Sequence, residues 1–295
     1  MLGIETGGTT IRVAVADTPT RPLRLETLPT AHPATTLPRL TRVVGDLVAG
    51  RQVEAVGIAA FGPIDVDPGS PTYGVIGASP KADWSGVDLR EVARRAVDAP
   101  VVIDTDVTAA AIAERQFGAG GGAPDVCYVT VGTGVGVGAV VEGHPLHGTA
   151  HPELGHLLVR RHPDDSFGGV CRFHGDCLEG LASAPALTRR WTVSPELLSH
   201  DLDAARRLEA YYLAQLVVAL TYILSPTVVV IGGGVAAMPG LLPATAAQAS
   251  RLVGGALGDH AARDPGSGYV TASRLGGQAG IIGALALADG CRNRS

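Results

Sequence analysis

An α/β protein of two similarly built lobes is what the sequence predicts, and three observations carry that prediction. The opening run Leu2–Glu5, the turn Thr6-Gly7-Gly8-Thr9-Thr10 and the β-rich Ile11–Ala16 read as strand, glycine-rich turn, strand. The same grammar returns about 125 residues later, at Val126–Val131, Gly132-Thr133-Gly134 and Val135–Val141. Composition agrees: of 295 residues, 46% are hydrophobic and 17% charged, with 40 glycines and only 4 phenylalanines, which describes a Gly/Ala/Val-rich core with more chain than one average domain needs.

Apolar spacing assigns the elements between and after these hairpins. Val53–Ala59 and Val101–Ile103 read as strands, and Leu37–Leu47, Leu89–Val97 and Val107–Gln116 as helices. In the second half, Pro185–Thr192 and Ala204–Leu224 read as helices, the longer one stopped by Pro226. Thr227–Ile231 is then a strand running into Gly232-Gly233-Gly234, and a last helix near Ala279–Ala288 closes the chain. The polar, glycine-rich stretch Gly118–Pro124 is the expected linker. It separates an N-terminal lobe, 1–117, from a C-terminal lobe, 118–278, with the last helix (279–290) packing back on the first lobe.

Several function classes are excluded at this level. A net charge of −5 is the wrong sign for a nucleic-acid partner. The N-terminus lacks the basic and apolar regions of a secretory signal, and the most apolar segments, around Tyr211–Ile223 and Thr227–Val235, are interrupted by Ser225-Pro226 and too short to span a bilayer. A cytoplasmic protein with no membrane partner is expected. In that reducing compartment the 4 cysteines are poor disulfide candidates; Cys127 and Cys291 read as inert thiols.

A nucleotide could be held in few ways. A Walker A loop is excluded because the only lysine, Lys81, follows Pro80 instead of glycine. Gly132-Thr133-Gly134-Val135-Gly136-Val137 also fails the dinucleotide fingerprint, since it continues as a strand. What remains are two hairpin tips, Gly7-Gly8-Thr9-Thr10 and Gly132-Thr133-Gly134, whose amides and hydroxyls can form anion-binding concavities, with Gly232-Gly233-Gly234 as a third glycine run for the nucleoside.

Asp104-Thr105-Asp106 lies between a strand and a helix, at the strand's carboxyl end, where ligands of open α/β sheets bind. Thr105 or Asp106 can cap the helix, and Asp106 can also serve as the weak base that orients a hydroxyl in phosphoryl transfer. Downstream, Cys171-Arg172-Phe173-His174-Gly175-Asp176-Cys177 offers three ligands at metal spacing. His151, His156 and His162 are all within reach as a fourth, and such a closed Cys₂His₂ site would be structural. Glu153 and Glu179 flank this segment as candidate sugar-hydroxyl acceptors.

Together these residues resemble the ROK family, and within it the zinc-containing fructokinases. The likeness runs through Gly3-Ile4-Glu5-Thr6-Gly7-Gly8-Thr9, Phe61-Gly62-Pro63-Ile64-Asp65, Pro80-Lys81-Ala82-Asp83-Trp84, Asp104-Thr105-Asp106-Val107, Gly132-Thr133-Gly134 and Cys177-Leu178-Glu179-Gly180. The resemblance implies a two-lobed, actin-like and hexokinase-like ATPase fold with ribonuclease H-like lobes and an active-site cleft between them. It implies ATP and Mg²⁺, a structural Zn²⁺ and a homodimer. It makes Asp106 the catalytic base, Thr105, Glu153, His156 and Glu179 sugar contacts, and His156 the fourth zinc ligand beside Cys171, His174 and Cys177. Glu5, within the first matched motif, is a further candidate site residue.

The zinc segment reads Cys-x-x-His-x-x-Cys, without the Cys-x-Cys of glucokinases, so fructose is the expected sugar, with another hexose or sugar-like metabolite as the alternative. Two positions depart from the family pattern: Thr10 stands where Lys is usual and Thr108 where Asn is usual, which leaves a catalytically weakened sugar-binding relative as a further alternative. Sugar-sensing repressors of the same family carry a DNA-binding domain ahead of the first hairpin, which here begins at Leu2. Lys81 survives as lysine among 23 basic residues, and its compact ammonium suits a phosphate or sugar contact.

Overall fold

The computed structural model describes residues 1–79, 81, 83–191 and 202–293. Pro80 and Ala82 of the Trp84 motif, and Thr192 at the end of an expected helix, lie outside them. The chain divides into two compact units. One comprises Met1–Ala113, Pro145–Pro152 and the chain from Gly277 on; the other comprises Glu114–His144 and Glu153–Gly276.

In the first unit, β1 (Leu2–Thr6), β2 (Thr10–Thr18), β3 (Arg21–Pro29), β4 (Val56–Ala60) and β5 (Val101–Thr105) form one sheet in the order β3-β2-β1-β4-β5. The first three strands are an antiparallel meander; β1, β4 and β5 run parallel. Register sets Thr6 beside Ala60 and Ala60 beside Thr105, so three loops leave the carboxyl edge of the sheet side by side. β4 is buried throughout, as its apolar sequence requires. β3 was not marked by the sequence: only Leu28 of its nine residues is buried, and its Arg21, Pro22, Arg24 and Glu26 are edge-strand chemistry.

Helix α1 (Pro33–Val48) begins earlier than its apolar spacing suggests, because Pro33 occupies the first turn, where no N–H is needed, and His32 Nδ1 accepts from the Ala34 N–H. It is followed by α2 (Leu89–Ala96), capped by the Asp88 side chain, and α3 (Asp106–Phe117). The division between the two units falls inside α3 and not in the glycine-rich segment after it.

In the second unit, β6 (Val126–Val131), β7 (Val135–Val141), β8 (His144–Pro145), β9 (Val228–Gly232) and β10 (Val270–Ala272) belong to a sheet ordered β10-β9-β6-β7-β8. Its pairings repeat those of the first sheet: an antiparallel hairpin, β6–β7, with two further strands parallel to β6 on the other side. Helices α4 (Leu178–Ala182), α5 (Ala184–Trp191), α6 (Leu202–Leu224) and α7 (Leu241–Val253) complete this unit.

The final helix, α8 (Ala279–Arg292), packs on β1 and β4 of the first unit. A Cβ on Gly57 of β4 would come 1.9 Å from the Ala284 carbonyl oxygen, so the helix rests directly on strand backbone and only glycine fits. Among the described residues, no helix is long and apolar enough to cross a membrane.

Candidate active site and metal centre

The carboxyl edge of the first sheet gathers one group of candidate residues. At the β1–β2 tip, Gly8, Thr9 and Thr10 are exposed; the turn is closed by the Gly7 N–H on the Thr10 carbonyl (2.8 Å) and braced by the Thr30 hydroxyl on the Gly7 carbonyl (2.8 Å). Glu5, on β1 below the tip, pairs with Arg12 at 3.3 Å, and a Cβ on Gly280 would come 2.3 Å from its Oε1. Burial raises the Glu5 pKa, opposed by the Arg12 charge.

The next loop, after β4, holds Phe61, whose ring meets Trp84 edge-on at 5.3 Å. Trp84 is fully buried and donates Nε1–H to the Ala31 carbonyl at 3.0 Å. The Lys81 ammonium stands 5.7 Å from the centre of the Phe61 ring, and partial burial lowers its pKa.

The third loop presents Asp106, half-buried at the start of α3. The cap of that helix is Thr105: its Oγ1 accepts the Thr108 N–H at 3.1 Å and donates to the Thr108 hydroxyl at 2.7 Å. Thr105, expected at the sugar, is therefore only 2% exposed with its hydroxyl committed to the helix start. The Thr108 departure from the family pattern is thereby accounted for, since two hydroxyls partner each other and the helix-start amide is satisfied. Asp106 Oδ1 accepts the Val107 N–H at 2.8 Å.

Asp104, 3% exposed, accepts the Thr105 N–H at 2.8 Å, and both its oxygens lie 3.1 Å from His147 Nε2. The hydrogen bond to Asp104 raises the His147 pKa above the usual 6.5, against the pull of burial. The stability this pair contributes is therefore fully present below the unfolded value near 6.5 and is lost as pH rises through the higher folded value. The difference in melting temperature between the native protein and His147→Gln should be largest in acid and shrink toward alkaline pH. A difference that stays constant across that range would mean the imidazole is not charged there.

In the second unit the β6–β7 tip and the end of β9 share one edge, because Thr130 pairs with Gly232. Gly233 has φ +91° and a Cβ there would come 2.3 Å from the Val131 carbonyl oxygen, so this run must be glycine to lie against β6. Gly234 faces open space, and Thr133 is exposed at its tip. Behind the tip, Glu179 of α4 accepts the Val135 N–H at 3.1 Å, and the Ala184 N–H meets the Gly132 carbonyl at 2.8 Å. Glu179, expected at the sugar, is thus also tied to the second glycine hairpin.

His156 ends a short 3₁₀ turn, Leu154–His156, that sits so tightly on β7 that a Cβ on Gly155 would come 1.8 Å from the Val135 carbonyl oxygen. Glu153, just before this turn, is exposed. The turn carries His156 to Cys171, His174 and Cys177, whose donor atoms all lie within 4.8 Å of one another. The measured separations are 3.6 Å from His156 Nδ1 to each sulfur and 3.8 Å from Cys171 Sγ to His174 Nδ1. Tetrahedral bonds of ~2.3 Å to sulfur and ~2.0 Å to nitrogen set the N···S edge at about 3.5 Å, close to these separations, so the four donors fit one zinc ion. Of the other two histidines within reach by spacing, His151 Nε2 accepts the Ile64 N–H at 3.3 Å, and the His162 ring packs on Tyr211 at 4.9 Å. Burial, followed by the neighbouring Cys171, pushes the Cys177 thiol up to about 11 in the absence of a cation.

Sequence reasoning missed Glu114. It is fully buried on α3, and its carboxylate accepts from the Ser273 hydroxyl (2.5 Å) and from the Ala119, Arg274 and Leu275 N–H groups (2.8, 3.3 and 2.9 Å), fastening the chain after β10. Nothing local in the sequence signals this, because its partners are as much as 161 positions away.

Two sheets of one repeated topology, each with a glycine hairpin at its carboxyl edge, and a carboxylate at the head of α3 define a two-lobed α/β sugar kinase that uses ATP. A comparison with protein families matches residues 1–290 to the ROK family, and the chain belongs to it. The fructokinase of Zymomonas mobilis is 39% identical over 298 residues, covering 99% of this chain and 97% of that protein. Among solved structures, a ROK hexokinase from Thermus thermophilus superposes with a TM-score of 0.81 at 28% identity, covering 100% of this chain and 99% of the other. A ROK family glucokinase from Streptomyces griseus, in complex with glucose and AMPPNP, gives a TM-score of 0.76 at 27% identity and covers 98% and 99%.

Proposed function

We propose that the protein transfers the γ-phosphoryl group of ATP to the 6-hydroxyl of fructose. The observation that carries the reaction is Asp106: a half-buried carboxylate at the head of a helix that another residue caps, so its own carboxyl is not needed to start the helix. Fructose is favoured over glucose by the Cys-x-x-His-x-x-Cys spacing and by higher identity to a fructokinase (39%) than to a glucokinase of known structure (27%).

In this reading ATP enters as its Mg²⁺ complex, which spreads the charge of the transferring phosphoryl group. Gly7, Gly8, Thr9 and Thr10 from one hairpin and Gly132, Thr133 and Gly134 from the other bind phosphate oxygens through amides and hydroxyls, and Gly232, Gly233 and Gly234 admit the nucleoside. Asp106 accepts a hydrogen bond from the sugar hydroxyl, orients its oxygen in line with the γ-phosphorus, and takes the proton as the O–P bond forms and the bond to the leaving diphosphate breaks. A base that orients the hydroxyl and takes its proton late in the transfer acts by position more than by basicity.

His156, Cys171, His174 and Cys177 hold Zn²⁺ with no ligand position left open, so the ion orders the segment between Glu153 and Glu179 and activates no water. Glu153, His156 and Glu179 then recognise sugar hydroxyls, with Lys81 as a further polar contact at the β4 edge. A homodimer is the assembly that the family implies.

A coupled assay of ADP release across fructose, glucose, mannose and amino sugars tests the reading. Fructose is expected to give the highest kcat/KM; the absence of turnover with every hexose would sink the kinase function, and a preference for another sugar would overturn only the substrate. The same panel run on Lys81→Arg tests that residue, since unchanged activity would remove it from the site.

A further inference from the structure

The strand that delivers Asp106 lies at the edge of its sheet. Among the described residues β5 pairs with β4 on one side only, and no further strand holds its exit on the other. Side chains hold it there instead. The buried Tyr73 hydroxyl accepts the Ile103 N–H at 2.7 Å, and one residue on, the buried Asp104 carboxylate is gripped by His147 at 3.1 Å.

His147 belongs to Pro145–Pro152, a segment that packs with the first unit although the chain on either side of it belongs to the second. Two imidazoles fasten it. His147 takes Asp104, and His151 takes the Ile64 N–H in the loop after β4. His147 lands on the last residues of strand β5 and His151 on the loop after β4, both at the carboxyl edge of the sheet, and the segment then runs directly into Glu153.

Three consecutive residues thus divide the work at the turn. Asp104 is locked by His147 and by the Thr105 N–H, Thr105 caps α3, and Asp106 follows. A buried carboxylate that lost its imidazole would have to find another partner or draw in water, and either change would rotate the peptide that leads into Asp106.

We propose that His147 is a positioning residue for the phosphoryl-transfer step: by holding Asp104 it fixes the strand-to-helix turn that aims Asp106. The proposal rests on Asp106 as base. His147 acts through Asp104 and takes no proton from the sugar.

Steady-state kinetics of His147→Ala and His147→Gln test it, with Asp106→Asn in parallel. His147→Ala is expected to lower kcat about 10- to 100-fold, the cost of misplacing a reacting group by about 1 Å, with the KM for ATP nearly unchanged. In His147→Gln the side-chain amide can occupy the place of Nε2–H, and most of kcat should return. A purely structural role would lower the melting temperature of both variants and leave kcat intact at temperatures where they are folded, and that result overturns the proposal. If Ala does not fold, His147→Asn, too short to reach Asp104, decides by the same kcat readout. Turnover surviving in Asp106→Asn would instead locate the failure in the assignment of the base.

Discussion

Asp106→Asn should lower kcat with fructose by about 10²- to 10⁴-fold, the usual contribution of a general base, while melting temperature and metal content stay as in the native protein. The expectation is specific because the helix does not depend on this carboxylate: Thr105 supplies the cap at 3.1 Å, and an asparagine oxygen can still accept the Val107 N–H now held by Asp106 at 2.8 Å. What the amide cannot do is take a proton. ADP release measured with saturating fructose and ATP, beside a thermal melt and a metal assay on the same preparation, separates the two roles. Turnover within a few-fold of native would leave Asp106 as part of the helix start and nothing more.

Loss of the metal should be the other large effect. Between His156 and Cys177 the chain has no helix and no strand longer than the Cys171–Gly175 bridge, so little backbone pairing holds it. The anchors are polar: Arg161 on Asp176 at 2.8 Å, and the buried Arg190 on Asp165 at 3.1 Å. A four-ligand zinc adds a cross-link of the kind whose apparent binding energy reaches about 10–16 kcal/mol in small zinc domains. Cys177→Ala is therefore expected to take bound zinc from one ion per chain to none, to expose this segment to limited proteolysis, and to lower kcat/KM for the sugar at least tenfold. Native protein that contains no zinc as purified, or a zinc-free variant with native kcat/KM, would refute the structural role.

Much of this was legible in the chain because the signals were local. Glycine and threonine at a strand junction mark Gly7–Thr10 and Gly132–Gly134 without any knowledge of the fold, and Asp106 is marked by lying between a strand and a helix. Spacing alone found three of the four clustered metal donors and left the fourth open among three histidines, since an imidazole arriving through a turn packed on β7 has no fixed sequence distance. The illegible part is long-range and polar. Neither His147 on Asp104, 43 positions apart, nor Glu179 on Val135, 44 apart, leaves a periodic trace, and both alter the meaning of residues that local reading had found. The choice between Thr105 and Asp106 as cap was likewise one of rotamer and not of composition.

The two sheets repeat one order but not one set of lengths. Where the first has a nine-residue β3 joined by a few residues to its next helix, the second has a two-residue β8, after which the chain goes on through the histidines and cysteines to α4, α5 and α6. The long tract sits at a topological seam, after the hairpin is finished and before the parallel strands resume. Chain can be added, shortened or exchanged there without disturbing a single ladder, so the tract between β8 and α4 is free to vary in length and sequence while the two glycine hairpins stay fixed.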